Sequence, residues 1–533
     1  MHNSRQAPST IVAPVATQMR SATLGLTPSI ELSLCFQLPP RARALLEVSK
    51  LFTTTERMRL HETRTYFDTP YRILNREGLN LDVCQSGRRR IQTLSRQVNE
   101  YALATSRMLW EWQVDQSAPD ARLLDGVSGL AKLSKALHRG MEPVFSTNLW
   151  RVTRVLRPDR DTVIKAALIH GDALIGAERT IIRELHLVLV KGTPQSLYQL
   201  ADTLTNVAPL EISPNIAARH EQTFRHSNGI RSAPPPAQLG SRTTRAGEAL
   251  REILSRALYH LVNNISATLR GAPEGVHQMR MSIRSARATL RLFRVRGGAI
   301  TDGTFDSRLR SIGAILGLER DWNVFCLDTL PTAIAATRTT EAADSLRRMA
   351  TQANSLRLAA KSATICVIRD PLFTALVLQL ATWAEMCVTT SSSSRYDHSH
   401  QRLSAVLPKL LNRVARTTLL RARHLGGLST DQLHRIRKSV RRLGIDVANL
   451  ASVYPRRSVK PYQRGCDDVL TILGSISDTV VTRRLARLLV VAHPKLRDAA
   501  AIVIRRSQRQ EVVERHRLRH AIKTLHRASE FWL

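Results

Sequence analysis

Two segments, VHQMRMSIR at 276–284 and LHRIRKSVR at 433–441, share the pattern apolar-His-x-apolar-Arg-x-Ser-apolar-Arg, with His277 and His434 lying 157 residues apart. A second pair, LGLERDWNV (316–324) and LGSISDTVV (473–481), shares Leu-Gly-x-x-x-Asp-x-x-Val at the same offset of 157. One match could be chance, but two at one offset point to a duplicated unit. The unit is too long for a solenoid repeat and its apolar residues recur at helical steps. The expectation is two similar helical bundles packed together.

Each duplicated segment carries two stripes. His277, Arg280, Arg284, Arg287, Arg291 and Arg294 share one helical face, while Val276, Met279, Ile283, Ala286, Leu290 and Phe293 lie one residue earlier, about 100° around the helix. No Asp or Glu occurs between 275 and 300. In the second segment Leu433, Ile436, Val440, Leu443 and Val447 are the apolar stripe, and His434, Arg437 and Arg441 the basic one. Gly444 and Ala448 end that basic stripe early, while Lys438 and Arg442 widen it. Solvated helix faces usually mix signs, because like charges four residues apart repel by roughly 0.2–0.5 kcal/mol. A row of arginines alone needs an anion to offset that repulsion. Guanidinium is planar, permanently charged and matched to phosphate oxygens, and this spacing suits a linear polyanion better than one small ligand.

The charge of the whole chain agrees: 79 Lys and Arg against 43 Asp and Glu give +36 and a pI near 11.3. Residues 1–230 hold 29 basic against 21 acidic side chains, net +8, and the rest hold 50 against 22, net +28. A polyanionic partner is implied, with its site mainly in the C-terminal half. Aromatics make up 5 % of the chain and do not interleave with the basic helices, which disfavours nucleic acid. The apolar stretch Leu372 to Ala384 is too short to span a bilayer and contains Gln379, so no membrane association is expected.

Residues 30–220 have a different texture. Short alternating runs such as LNLDVC, IQTLS, EWQV, VIKAAL and ELHLVLV, separated by turns such as SGRRR and LRPDRD, predict a mostly β domain. The proline-rich stretch 226–247 marks a linker, and the serine run at 389–401 a loop between two halves of a helical domain. The fold class is therefore α+β: an antiparallel β tunnel or barrel, then an all-α domain of two duplicated bundles. The expected boundaries are a disordered tail at 1–29, the β domain at 30–222, a linker at 223–247 and the helical domain at 248–525, with repeats at 248–388 and 402–525. Six scattered cysteines without a C-x-x-C pair suit reduced thiols and a cytoplasmic location. DHSH (397–400) and HRLRH (516–520) each lack a third ligand nearby and are set aside as metal sites.

The segments VHQMRMSIRSARATLRLFR, LHRIRKSVRRL, LGLERDWNVF and ILGSISDTVV, in that relation, resemble the CHAD family, the conserved-histidine α-helical domain, over about 245–525. The resemblance implies two four-helix bundles around a basic groove that binds inorganic polyphosphate, and association with polyphosphate granules. Carried over by position, the ligand-facing residues are His277, Arg280, Arg284, Arg287, His434, Arg437, Lys438 and Arg441, with Arg291 next on the same stripe.

YFDTPYRILNREGLNL (66–81) followed by RRRIQTL (88–94) resembles the CYTH family of triphosphate tunnels over about 30–222. That family's first strand carries Glu-x-Glu-x-Lys; here it is Glu31-x-Ser33-x-Cys35. The late acidic strand appears as Glu184, His186 and Val188, whereas Arg107 and Arg151 stand at matching places. The resemblance implies Arg107 and Arg151 as anion-binding residues, and Glu31 and Glu184 as what remains of a site for Mg²⁺ or Mn²⁺. Two isolated carboxylates support a metal poorly, so the leading expectation is a polyphosphate-binding protein with a catalytically impaired tunnel and no firm cofactor. A metal-dependent inorganic triphosphatase, taking triphosphate, is the alternative, and a nucleic-acid binder the second.

Overall fold

Nine strands form one antiparallel sheet in the computed structural model, which describes residues 28–98, 103–213, 244–293, 303–389, 401–422 and 428–532. The strands are β1 (Ser29–Gln37), β2 (Met58–Asp68), β3 (Leu79–Ser86), β4 (Arg89–Gln97), β5 (Thr105–Gln113), β6 (Glu142–Leu156), β7 (Val163–Ile175), β8 (Glu178–Lys191) and β9 (Glu211–Ile212). Their order is β5-β4-β3-β2-β6-β7-β8-β1, and β1 also pairs with β5, so eight strands close a barrel; the two-residue β9 adds to β1. Closure removes the exposed edges that an open sheet would have to protect. Period-two alternation sorts the side chains of β1: Leu34 and Phe36 are buried in the outer core, and Ser33 and Cys35 face the lumen. Gly171 is required in β7, because a Cβ there would collide with the backbone carbonyl of Asn148 on β6.

The longer helices follow: α1 (Pro194–Thr205), α2 (Ala246–Asn263), α3 (Pro273–Leu292), α4 (Gly303–Val324), α5 (Thr340–Arg369), α6 (Pro371–Thr389), α7 (Leu403–Arg421), α8 (Thr430–Leu450), α9 (Arg456–Ala492) and α10 (Arg497–Arg527). Local sequence sets several boundaries: Pro273 opens α3, Pro371 opens α6, and a Ser429/Gln432 capping box starts α8. The duplication extends to these starts. Helices α2 and α7, α3 and α8, and α5 and α10 begin at 246 and 403, 273 and 430, and 340 and 497, each pair 157 residues apart. Arg245 and Arg402, also 157 apart, form an antiparallel backbone bridge with each other. Equivalent residues can pair in this way only across a local two-fold axis. The distal ends of the repeats share a core of Trp322, Phe325, Met349, Leu485, Leu489 and Val503.

Among the described residues, helix α6 has no equivalent in the second repeat. It is longer than the sequence reading allowed: Pro371–Val388 is the one span among the described residues with the length and apolarity to cross a membrane, and half of it is buried in the protein. Phe373, Leu376, Val377 and Leu380 join Leu197, Tyr198, Leu200 and Leu204 of α1 in a core that runs from the barrel into the first bundle. Gln379, expected to break an apolar run, instead donates to Asp202 of α1 at 3.2 Å and accepts from Arg308 at 2.8 Å. Each leucine fully buried here contributes about 1.5–3 kcal/mol. Helix α2 starts at Ala246, two residues inside the expected linker. The tail through residue 27, residues 214–222 at the end of the expected β domain, residues 223–243 of the expected linker, the serine run from 390, DHSH and Arg294 lie outside the described residues.

Candidate anion-binding groove and barrel lumen

Helices α3 and α8 lie against each other with their basic stripes converging. Their apolar stripes are sealed into the bundles, with Val276, Met279, Val440 and Leu443 fully buried. Arg280, Arg284, Arg437 and Arg441 are half-buried between the helices. Burial, followed by the charges of Arg441, Arg280 and Arg437, pushes the Arg284 guanidinium down to about 8. Arg441 is pushed down to about 10 by burial and then by Arg437 and Arg280. Burial also lowers Arg280, Arg437, His277 and His434, with neighbouring cations adding to the shift for Arg280 and both histidines. Two duplicated helices thus concentrate four guanidinium groups, where keeping them charged costs free energy that an anion would return. Lys438 and His434 lie at the exposed end of this cluster.

The second duplicated motif builds the floor. Leu316 and Leu473 anchor it in the core. The Arg280 guanidinium lies over Gly317, where an added Cβ would sit 3.5 Å from Nη2, and Arg437 lies over Gly474 with a corresponding 3.8 Å. The motif's aspartates, Asp321 and Asp478, act on both Arg280 and Arg437, so each aspartate's field crosses between the repeats. Arg484 of the second repeat reaches Asp321 of the first at 3.3 Å. The shared serine of the first motif has a structural place: Ser282 meets His260 at 2.9 Å, and Ser439 accepts from Arg421 at 2.6 Å, both on the side away from the groove.

The rest of the stripe behaves differently. Arg287 and Arg291 both donate to Asp306 of α4, at 2.8 and 2.7 Å. They join the sequence-expected set by position, yet one carboxylate already engages both. Gly444 takes the place of Arg287 in the second repeat because α9 passes close by: a Cβ there would stand 3.4 Å from Leu470. Arg442 lies 3.7 Å from Asp446, whose buried carboxyl is pushed up to about 8.

The barrel lumen also holds arginines, but they are largely paired. Arg64 donates to Asp82 at 2.7 Å, and Arg151 donates to Glu62 at 3.2 Å. Burial outweighs Arg64 and raises Asp82 to about 6. Glu31 is the register partner of Arg107 across β1 and β5. Glu184 lies opposite Gln37, six residues along β1 from Glu31, while the charge of Glu31 still acts on His186 in the same lumen. Glu184 bonds His186 at 2.7 Å, beside Cys35. Burial, then Arg151 and Arg107, lowers His186 to about 3.

Residues 252–487 match the family model of the CHAD domain. This chain carries a CHAD domain. The CHAD domain from the plant Ricinus communis is 22 % identical, covering 56 % of this chain and 99 % of that one, with a TM-score of 0.48. PptA from Streptomyces chartreusis is 16 % identical, covering 54 % of this chain and 99 % of its own, with a TM-score of 0.39. HpAC1 from Hippeastrum, described as an adenylyl cyclase candidate with a dominant triphosphatase activity, is 13 % identical; 36 % of this chain and 96 % of that one are covered, with a TM-score of 0.29. No curated protein sequence matches the chain.

Within the CHAD domain, the sequence pattern located both basic stripes and the floor motif but gave no role to Arg320 or Arg484. Arg320 bears on His277 and Arg280, and its signal was its place beside Asp321 in the quoted motif. In the barrel, Arg64 was missed; it alternates with Glu62 and Tyr66 along β2, a pattern that period two could have exposed.

Proposed function

We propose that the CHAD domain binds inorganic polyphosphate along the α3–α8 groove, and that this binding takes the protein to polyphosphate granules in the cytoplasm. The observation that carries this reading is the convergence of Arg280, Arg284, Arg437 and Arg441 from two duplicated helices, with Arg284 pushed down to about 8 by burial and like charge. Guanidinium forks so placed offer successive bidentate contacts to a chain of phosphates. Triphosphate is a short form of the same ligand. The barrel serves as a structural partner with impaired catalysis, because Glu31 and Glu184 are six strand positions apart and Arg64 and Arg151 are neutralised by lumen carboxylates.

The test is a salt titration of binding to long polyphosphate and to mixed-sequence DNA of equal charge. Polyphosphate affinity should fall steeply with salt, since each neutralised phosphate releases a counterion, and should exceed DNA affinity throughout. Equal affinity for the two polymers at every salt concentration would count against the reading.

A further inference from the structure

The barrel lumen holds a second cluster that does not involve the CHAD groove. Cys35 and His186 are direct cross-strand partners on β1 and β8, and Glu184 is two residues from His186 on the same face of β8. The Cys35 sulfur, a Glu184 carboxylate oxygen and a His186 ring nitrogen all lie within 4.8 Å of one another. Glu184 is fully buried and Cys35 nearly so. Ligands around a tetrahedral zinc ion stand roughly 3.5 Å apart, given metal–ligand bonds of about 2.0–2.3 Å. Side-chain rotations of about an ångström therefore bring the three donors into one coordination sphere.

We propose that Cys35, Glu184 and His186 form a binding site for a thiophilic divalent cation of the zinc class. The donor set selects the metal. Magnesium demands near-octahedral oxygen ligands, whereas thiolate and imidazole favour zinc and its neighbours. Binding releases the thiol proton to solvent, and thiolate plus carboxylate then balance the two charges of the ion. Three protein ligands leave a fourth position, as in open zinc sites. Arg107 bears on His186 across the lumen, so an oxyanion is the fitting fourth ligand.

Full-length protein, reduced and freed of metal with a chelator, is titrated with Co²⁺ and followed by absorption. The expected result is one equivalent bound, with a sulfur-to-cobalt charge-transfer band and tetrahedral d–d intensity, displaced by Zn²⁺ but not by an excess of Mg²⁺. Cys35→Ser removes the charge-transfer band. His186→Ala weakens cobalt binding by at least about tenfold, the lower end of what losing even an outer-shell partner costs. A charge-transfer band that persists in Cys35→Ser, or displacement of cobalt by Mg²⁺, overturns the proposal. So does a wild-type titration without the band, which decides the matter even where a variant fails to fold. The groove's affinity for polyphosphate is measured separately and has no bearing on these outcomes.

Discussion

The CHAD groove and the barrel lumen both gather arginines from distant parts of the chain, but they handle the charge in opposite ways. In the lumen, Arg64 has Asp82 at 2.7 Å and Arg151 has Glu62 at 3.2 Å. In the groove, four guanidinium groups face one another with Asp321 and Asp478 as flanking carboxylates, and their charged forms are disfavoured. The number of arginines is therefore a poor guide to anion affinity. What matters is whether the fold has already supplied the counter-charge. The contrast recurs inside one helix: on α3, Arg280 and Arg284 belong to the groove, while Arg287 and Arg291, one and two turns on, are held by Asp306.

The largest effect should come from reversing charge in the groove. Arg284→Glu with Arg441→Glu should weaken polyphosphate binding by at least about 100-fold, taking two charge-assisted hydrogen bonds at about 1.5 kcal/mol each. Arg64→Ala in the lumen should leave that affinity unchanged; isothermal titration measures both. Equal losses would erase the distinction between the two regions. Next in size, Asp306→Ala should destabilise the protein by about 1–3 kcal/mol in urea unfolding, because it strands two half-buried guanidinium groups. Polyphosphate affinity should stay level or rise in that variant, as Arg287 and Arg291 become available.

A smaller effect concerns Asp446. Its folded value of about 8 lies above its ordinary value of 3.8, so between those values the folded state holds a proton that the unfolded state has lost. Stability from this group is present below about pH 4 and is lost as pH rises toward 8. Thermal unfolding from pH 5 to 8 should show Asp446→Asn with a flatter pH dependence than the parent. The smallest expected effect is none. Triphosphate hydrolysis with Mg²⁺ or Mn²⁺ should stay at the buffer rate in a phosphate-release assay, and turnover abolished by Glu31→Ala would restore the lumen as an active site.

The fold was legible wherever periodicity or repetition carried it. The 157-residue offset, found in two short motifs, also sets three pairs of helix starts, and alternating runs such as ELHLVLV and IQTLS lie in barrel strands. Pairing was not legible. Nothing in the stripe of α3 distinguishes Arg284 from Arg287, because Asp306 lies 19 residues beyond Arg287 and reaches it only once α4 packs on α3. Register was equally hidden: the sequence offered Glu31 and Glu184 as remnants of one site, and only the pairing of β1 with β8 shows that Cys35, not Glu31, is the neighbour of His186. The apolar stretch of helix α6 read as Leu372 to Ala384 with a lone polar Gln379 inside it, and the partner of that side chain, Asp202, is seen only in the fold.

The bridge between Arg245 and Arg402 has a consequence for directionality. A strip built from two halves facing each other across a two-fold axis looks alike to a polymer arriving from either side. A nucleic acid strand has distinct 5′ and 3′ senses, but the axis exchanges the two directions of the strip, so either sense meets equivalent contacts. A string of identical phosphates has no head or tail and meets the same contacts in both orientations. It can be caught by whichever end arrives first.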